Sequence, residues 1–330
     1  MRLNPTSTYT IPVHPATEGF DIQKLAVEKH EFPAPAPATQ KIAFLFSHSN
    51  GFHKESLHPL IRRLKDNLRA MKEYDHTDIH VFAWDARGHG DSARLNDGIT
   101  VPTYRWFDNA LDTKQVVDKM KLKKYDQLIG VGHSLGATSM ILVEFFFPHT
   151  FDGLCVVEPV MSRLFYPMEI KLRSPILSSG KRRDEWQNRE ECKASLLKRK
   201  FWKLFDPEVL DLYVDYGMYD TDKGTIKLKC PREHEYHVFR HSSYDTFTAY
   251  NSLKIITIPI HFVYALDSDF VAPEDTHTVV DQNPAKITVQ HIEGTHMVVN
   301  EKPDLITPQI MALIDRVKQE SKNGKGQAKL

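Results

Sequence analysis

Gly132-His133-Ser134-Leu135-Gly136 has the spacing G-x-S-x-G. A serine hydroxyl becomes a useful nucleophile only where a base removes its proton and fixed dipoles receive the negative charge of the attacked carbonyl. A tight corner between a strand and a helix offers such a place. Glycines two residues either side let neighbouring backbone pass close to the serine. The helix that starts there directs its free N–H groups and positive dipole end toward the reacting oxygen. Ser134 is therefore the candidate nucleophile, and the backbone N–H of Leu135 a candidate oxyanion donor. A nucleotide loop fits less well. Glycines 130, 132 and 136 miss G-x-G-x-x-G by one residue, and no Gly-Lys-Ser/Thr follows.

Other chemistry-bearing residues have plainer readings. His234, His237 and His241 share a helical face at i, i+3 and i+7, a spacing that can hold a metal, but H-E-x-x-H is missing. A solvated or pocket-lining face is expected there. Cys155, Cys192 and Cys230 are odd in number and widely spaced, which argues against a disulfide framework or zinc knuckle and fits a reducing compartment. Formal net charge is zero, so no general electrostatic grip on nucleic acid or acidic lipid is expected. Met1-Arg2-Leu3-Asn4-Pro5 opens without a secretory apolar stretch, and no apolar run is long enough to be a transmembrane segment.

The elements that must position Ser134 follow from periodicity. The first forty residues alternate polar and apolar and suggest an opening antiparallel pair. Strands are predicted at Lys41–Phe46, Ile79–Trp84, Gln127–Val131 and Gly153–Val157, with helices at Glu55–Leu68, Trp106–Met120 and from Ser134 to about Phe147. After Pro159 the pattern turns mainly helical over about 161–250. Strand, helix, strand and helix then resume at Pro259–Ala265, Glu274–Val280, Lys286–Ile292 and Pro303–Lys318. Alternation on both sides of a break implies one parallel sheet with helices on its faces and a single insertion. The last ten residues are expected to be flexible.

Four blocks in chain order resemble the α/β-hydrolase family. Phe46-Ser47-His48-Ser49-Asn50-Gly51 is similar to its oxyanion loop, with Ser49 where the family usually has glycine. Asp85-Ala86-Arg87-Gly88-His89-Gly90-Asp91-Ser92 resembles the turn after its fourth strand, and the nucleophile elbow and the late Gly294-Thr295-His296 complete the set. The resemblance implies an α/β-hydrolase fold: a mostly parallel eight-stranded sheet flanked by helices, with core segments at 1–160 and 251–320. It also implies a helical cap at 161–250 and a tail at 321–330.

It further implies Asn50 as the second oxyanion donor through its backbone N–H, and His296 as the general base. Asp269, in Asp267-Ser268-Asp269-Phe270-Val271-Ala272-Pro273, looks like the family's usual acid and is favoured; Glu158, at the end of the preceding strand, is the alternative, and Asp267 a distant third. His133 and His89 are expected to pack behind the elbow. Serine rather than aspartate at the elbow implies acyl transfer from an ester, thioester or amide, with an apolar acyl group under the cap and neither metal nor organic cofactor. Alternatives are a hydrolase-fold protein that only binds a ligand or partner, and an enzyme that opens lactones or carbon–carbon bonds. Lys181-Arg182-Arg183 and Lys198-Arg199-Lys200 read as solvated helix faces, or as cations for an anionic head group such as that of coenzyme A. Ala328-Lys329-Leu330 fits the small-basic-leucine pattern read by the peroxisomal import receptor. With that tail and Val157-Glu158-Pro159-Val160, the chain is similar to fungal peroxisomal serine hydrolases, the yeast peroxisomal lipase among them.

Overall fold

The structure is a computed structural model that describes residues 2–99, 103–165, 179–271 and 273–327. Ser7–Pro12 (β1) and Lys24–Phe32 (β2) form the expected antiparallel opening pair. Gln40–Ser47 (β3), Thr77–Trp84 (β4), Gln127–His133 (β5) and Gly153–Val157 (β6) follow. The insertion carries the short strands Glu185–Trp186 (β7), Met218–Asp220 (β8) and Ile226–Leu228 (β9), and Ile260–Ala265 (β10) and Ile287–Ile292 (β11) complete the main sheet. Its eight strands run in the order β1-β2-β4-β3-β5-β6-β10-β11. β2 meets β4 antiparallel, and every pairing from β4 to β11 is parallel.

A parallel sheet must be covered on both faces, and alternate residues of each strand divide accordingly. Ala43, Leu45, Leu128, Val156 and Phe262 enter one buried cluster; Ile42, Phe44, Ile129, Cys155 and Val263 enter the other. His58–Arg69 (α1) seals the second face through Leu60, Ile61, Leu64 and Leu68. Gly90–Leu95 (α2) follows β4 as a single short helix. Trp106–Lys119 (α3) and Leu135–Phe146 (α4) seal the first face through Ala110, Val116, Met140 and Val143.

The interval 161–250, expected to be mainly helical, also folds β7, β9 and β8 into a small antiparallel sheet. Strands of two or three residues are too short for periodicity to reveal, and their stability comes from the packed cluster beneath them. Around them lie Arg189–Leu196 (α5), Lys200–Lys203 (α6), Pro207–Tyr216 (α7), Arg232–Arg240 (α8) and Ser243–Ser252 (α9). Trp186, Leu196, Trp202 and Phe205 join Phe52 and Met297 of the core in one buried cluster, so these cap residues pack the cap down. Within that interval, residues 166–178 lie outside the described residues.

Pro273–Gln282 (α10), Val298–Glu301 (α11) and Pro303–Gln327 (α12) end the chain's described part. The last helix runs past the expected Lys318 into the segment read as a flexible tail. It is anchored by Ile306, Ile310, Leu313, Ile314 and Val317, and propagating an existing helix adds one bond per residue fixed. Ala328-Lys329-Leu330 lies outside the described residues. No helix among the described residues is long and apolar enough to cross a membrane.

Candidate active site

β5 ends and α4 begins at one residue, Ser134, whose φ of 52° and ψ of −114° lie outside the ordinary wells. Such backbone costs on the order of 1–3 kcal/mol and persists only where its surroundings hold it. Here the Ser134 N–H donates to the Val157 carbonyl at 3.0 Å. A Cβ on Gly136 would stand 2.5 Å from the Ser47 carbonyl oxygen, and one on Gly132 would stand 2.6 Å from the Ala137 Cα. Both glycines are therefore required by the close passage of β3 and α4.

His296 comes from the loop between β11 and α11. Its Nε2 lies 2.9 Å from Ser134 Oγ and its Nδ1 2.8 Å from Glu158 Oε2. All three residues are buried. With Nδ1–H donating to the carboxylate, Nε2 is free to accept the Ser134 O–H, which is the tautomer a general base needs.

The carboxylate that meets His296 is Glu158, not the favoured Asp269. Asp269 and Asp267 are exposed. The reason is strand register. β6 pairs with β10 so that Val157 lies opposite Val263, and the Glu158 N–H donates to the Val263 carbonyl at 2.8 Å. Glu158 then adopts φ 51°, as unusual as the elbow beside it, and its Oε1 accepts the Ala265 N–H at 2.6 Å. The Asp267-Ser268-Asp269 turn does approach the site, but through the Ser268 hydroxyl, which donates to Glu158 Oε2. Two further residues contact His296, and one of them, Phe270, was missed from sequence. Phe270 stacks on the His296 ring at 4.2 Å and 8°, and His133 Nε2–H donates to the His296 carbonyl at 2.8 Å. Motif spacing gives no signal for Phe270. His133 is inside the elbow motif and packs behind it as expected.

Asn50 sits in the loop after β3. Its side chain is committed: Nδ2 donates to the Glu235 carbonyl at 3.0 Å, and Oδ1 lies 2.9 Å from His89 Nε2. The loop is thereby tied to the cap and to the turn after β4, leaving the backbone as the part of Asn50 that can serve a ligand. Ser49 needs no glycine-like conformation, because the left-handed position falls on Gly51, at φ 80°. Leu135 is the first residue of α4, so its N–H has no intrahelical acceptor. Burial pushes His48 down to about 4 and His133 to about 3, and holds His89 well below the usual histidine range. His48, His89 and His133 are thus neutral at pH 7.

His234, His237 and His241 do not converge. His234 turns inward to the His89 and Tyr104 rings, whereas the His237 ring lies against His241.

A hydroxyl on a strained strand-to-helix corner, an imidazole from the last loop and a doubly wound parallel sheet are the architecture of an α/β hydrolase. The chain belongs to that family: the family model described as alpha/beta hydrolase matches residues 44–308. Among solved structures it is similar to the peroxisomal α/β-hydrolase Lpx1 of Saccharomyces cerevisiae, with a TM-score of 0.80 at 20% identity over 96% of this chain and 90% of that one. It is also similar to the thioesterase domain from the curacin biosynthetic pathway, with a TM-score of 0.64 at 15% identity over 92% of this chain and 100% of that one. Among curated sequences it is 25% identical over 216 residues to the type I acyl-CoA thioesterase mpaH of Penicillium roqueforti, covering 61% of this chain and 45% of that protein. An abhydrolase domain-containing protein of Alternaria alternata, AFT2-1, is 26% identical over 104 residues, 31% of this chain and 37% of that protein. The chain spans less than half the length of these curated relatives.

Proposed function

We propose that this chain is a serine hydrolase that cleaves a carboxylic ester or thioester of an apolar acyl group through an acyl-enzyme. Ser134 Oγ attacks the carbonyl carbon while His296 Nε2 takes its proton. The tetrahedral oxyanion falls to the backbone N–H groups of Leu135 and Asn50. The leaving group departs with the proton from His296. Water, deprotonated by the same nitrogen, then releases the acid and restores Ser134. Glu158 keeps the His296 proton on Nδ1 and stabilises the imidazolium. Residues 161–250 act as the cap over this site.

The observation that carries the reading is the unbroken line Ser134–His296–Glu158, with contacts of 2.9 and 2.8 Å. The thioester option draws support from the names of two relatives, the mpaH thioesterase and the curacin thioesterase domain. Likeness to Lpx1 and the tripeptide Ala328-Lys329-Leu330 support a peroxisomal address read by the import receptor. A fluorescent fusion should lose punctate localisation when that tripeptide is removed.

A fluorophosphonate probe tests the chemistry. Wild-type protein should be labelled, and Ser134→Ala should lose both labelling and roughly 10⁴-fold or more of kcat/KM on an acyl ester. Folded wild-type protein that neither takes the probe nor turns over any ester would leave a ligand-binding hydrolase fold as the better reading.

A further inference from the structure

The two basic runs of the cap are distant in sequence, yet they line one cavity of about 350 Å³. Arg182 and Arg183 come from the segment before β7, and Lys198 and Arg199 from the turn between α5 and α6. The volume lies within the range of small-molecule sites, about 300–1,000 Å³. Among the described residues no carboxylate lines it. Arg182 and Arg183 each pair at 2.7 Å with an acid outside the lining, Glu235 and Glu191 respectively. Lys198 and Arg199 make no ion pair with any described residue and are exposed.

The rest of the wall suits a flat ring. The indoles of Trp186 and Trp202 line the cavity, and the Arg183 guanidinium sits 5.4 Å from the Trp186 ring centroid. Trp186 is held in place by its Nε1–H, which donates to Ser195 Oγ at 2.7 Å. Cations beside aromatic faces are the chemistry that holds phosphate together with a nucleobase. The cavity also has a structural link to the reacting centre. Trp202 packs against Phe52, two residues after Asn50, at 6.1 Å, and Met297, next to His296, belongs to the same cluster.

A second basic cavity, of about 550 Å³, shows what is unusual here. It gathers Lys29, Lys41, Lys121 and Lys124, but Glu31 and Asp78 are in its lining, and it opens near Lys41 at the start of β3. That is the end of the sheet opposite the elbow.

We infer that the cap cavity binds the phosphate-bearing nucleotide end of the substrate's leaving group, so that the preferred substrate is an acyl thioester of a nucleotide thiol. The inference rests on the acyl-transfer reading above. A lipid headgroup would supply phosphate but no ring for the two indoles.

The test compares two thioesters of one acid, decanoyl-CoA and decanoyl-N-acetylcysteamine, which lacks the nucleotide. The ratio of their kcat/KM values should fall at least tenfold in Lys198→Ala/Arg199→Ala, mainly through KM for the CoA ester, and the difference should shrink at 0.5 M salt. Lys121→Ala/Lys124→Ala, in the other basic cavity, should leave the ratio within twofold of wild type. An unchanged ratio in the cap variant, or an equal loss on both thioesters, overturns the inference. So does a wild-type enzyme that cleaves only the N-acetylcysteamine ester, although acyl transfer would then stand. If neither ester is cleaved and no fluorophosphonate labels Ser134, acyl transfer itself falls. Quenching of tryptophan fluorescence by adenosine 3′,5′-bisphosphate then decides the cavity: binding that weakens at least tenfold in the cap variant upholds it as a nucleotide site. No quenching, or binding only to anionic phospholipid vesicles, overturns it.

Discussion

Two of the buried histidine–carboxylate pairs among the described residues have nearly equal geometry and opposite surroundings. At the elbow, His296 Nδ1 meets Glu158 at 2.8 Å; between β2 and α1, His58 Nε2 meets Glu28 at 2.9 Å. The difference lies in what the second ring nitrogen meets. His58 Nδ1 accepts the backbone N–H of Leu3 at 3.1 Å, so its lone pair is already used. His296 Nε2 instead faces the Ser134 hydroxyl, on backbone that the surrounding strands hold away from its resting wells. The carboxylates differ as well. Glu158 accepts from a backbone N–H, a hydroxyl and one imidazole. Glu28 is crowded by cations, with Arg2 at 2.9 Å and Lys54 at 4.0 Å. Burial works to raise Glu28, but the imidazoles of His30 and His58 and the Lys54 charge outweigh it and hold its carboxyl well below the usual range. A paired imidazole and carboxylate is therefore not chemistry in itself. One pair is a brace that ties the N-terminal residues to the sheet; the other is open at its far end to the Ser134 hydroxyl.

Substitutions should separate brace from base. Glu158→Gln should give the largest effect, a loss of roughly 10³–10⁴ in kcat with the fold retained, because an amide no longer holds the proton on His296 Nδ1. Ester kinetics beside circular dichroism checks it, and a loss below tenfold would remove Glu158 from its proposed role. Glu28→Ala should do the reverse. Stranding His58, Arg2 and Lys54 should cost about 3–5 kcal/mol in urea unfolding, while turnover per folded molecule stays within about threefold.

His133, packed beside His296, sharpens the contrast through pH. Burial keeps its folded pKa at about 3, against an ordinary histidine value of 6.5. The unfolded chain thus takes up a proton on this residue below pH 6.5 while the folded chain does not. Its contribution is complete above pH 6.5 and is lost as pH falls toward 3. In His133→Gln, the slope of unfolding free energy between pH 6 and 4 should be shallower by about 1.4 kcal/mol per pH unit, read from denaturant midpoints. Asp269→Asn should have the smallest effect, with kcat/KM within twofold of wild type. A hundredfold loss there would return that residue to the site and break the comparison.

Much of this was legible from residue order. The strand–Ser134–helix corner stands out because a strained nucleophile requires small neighbours at fixed offsets, and Gly132 and Gly136 are local facts. His296 was legible from its place after the last strand. Alternation located the opening antiparallel pair, and apolar runs located the parallel strands of the main sheet, since a layer buried on both faces leaves a continuous apolar trace. The three short cap strands left none, because each is held by the tryptophans and leucines packed beneath it rather than by its own pattern.

The sequence by itself determined the strand–Ser134–helix corner and the layered core, because each depends on spacing along one stretch of chain, and the family resemblance singled out His296 as its proposed partner. Only the tertiary structure decided which carboxylate serves His296. Glu158, Asp267 and Asp269 all stand at strand ends, and the choice is made by how far β10 runs past β6 once their hydrogen bonds are in register. That pairing turns the Glu158 carboxylate inward onto Ala265, Ser268 and His296 and leaves both aspartates in water. The same is true of the cap cavity: two basic runs, each an ordinary solvated stretch alone, share a wall only after the chain has folded between them.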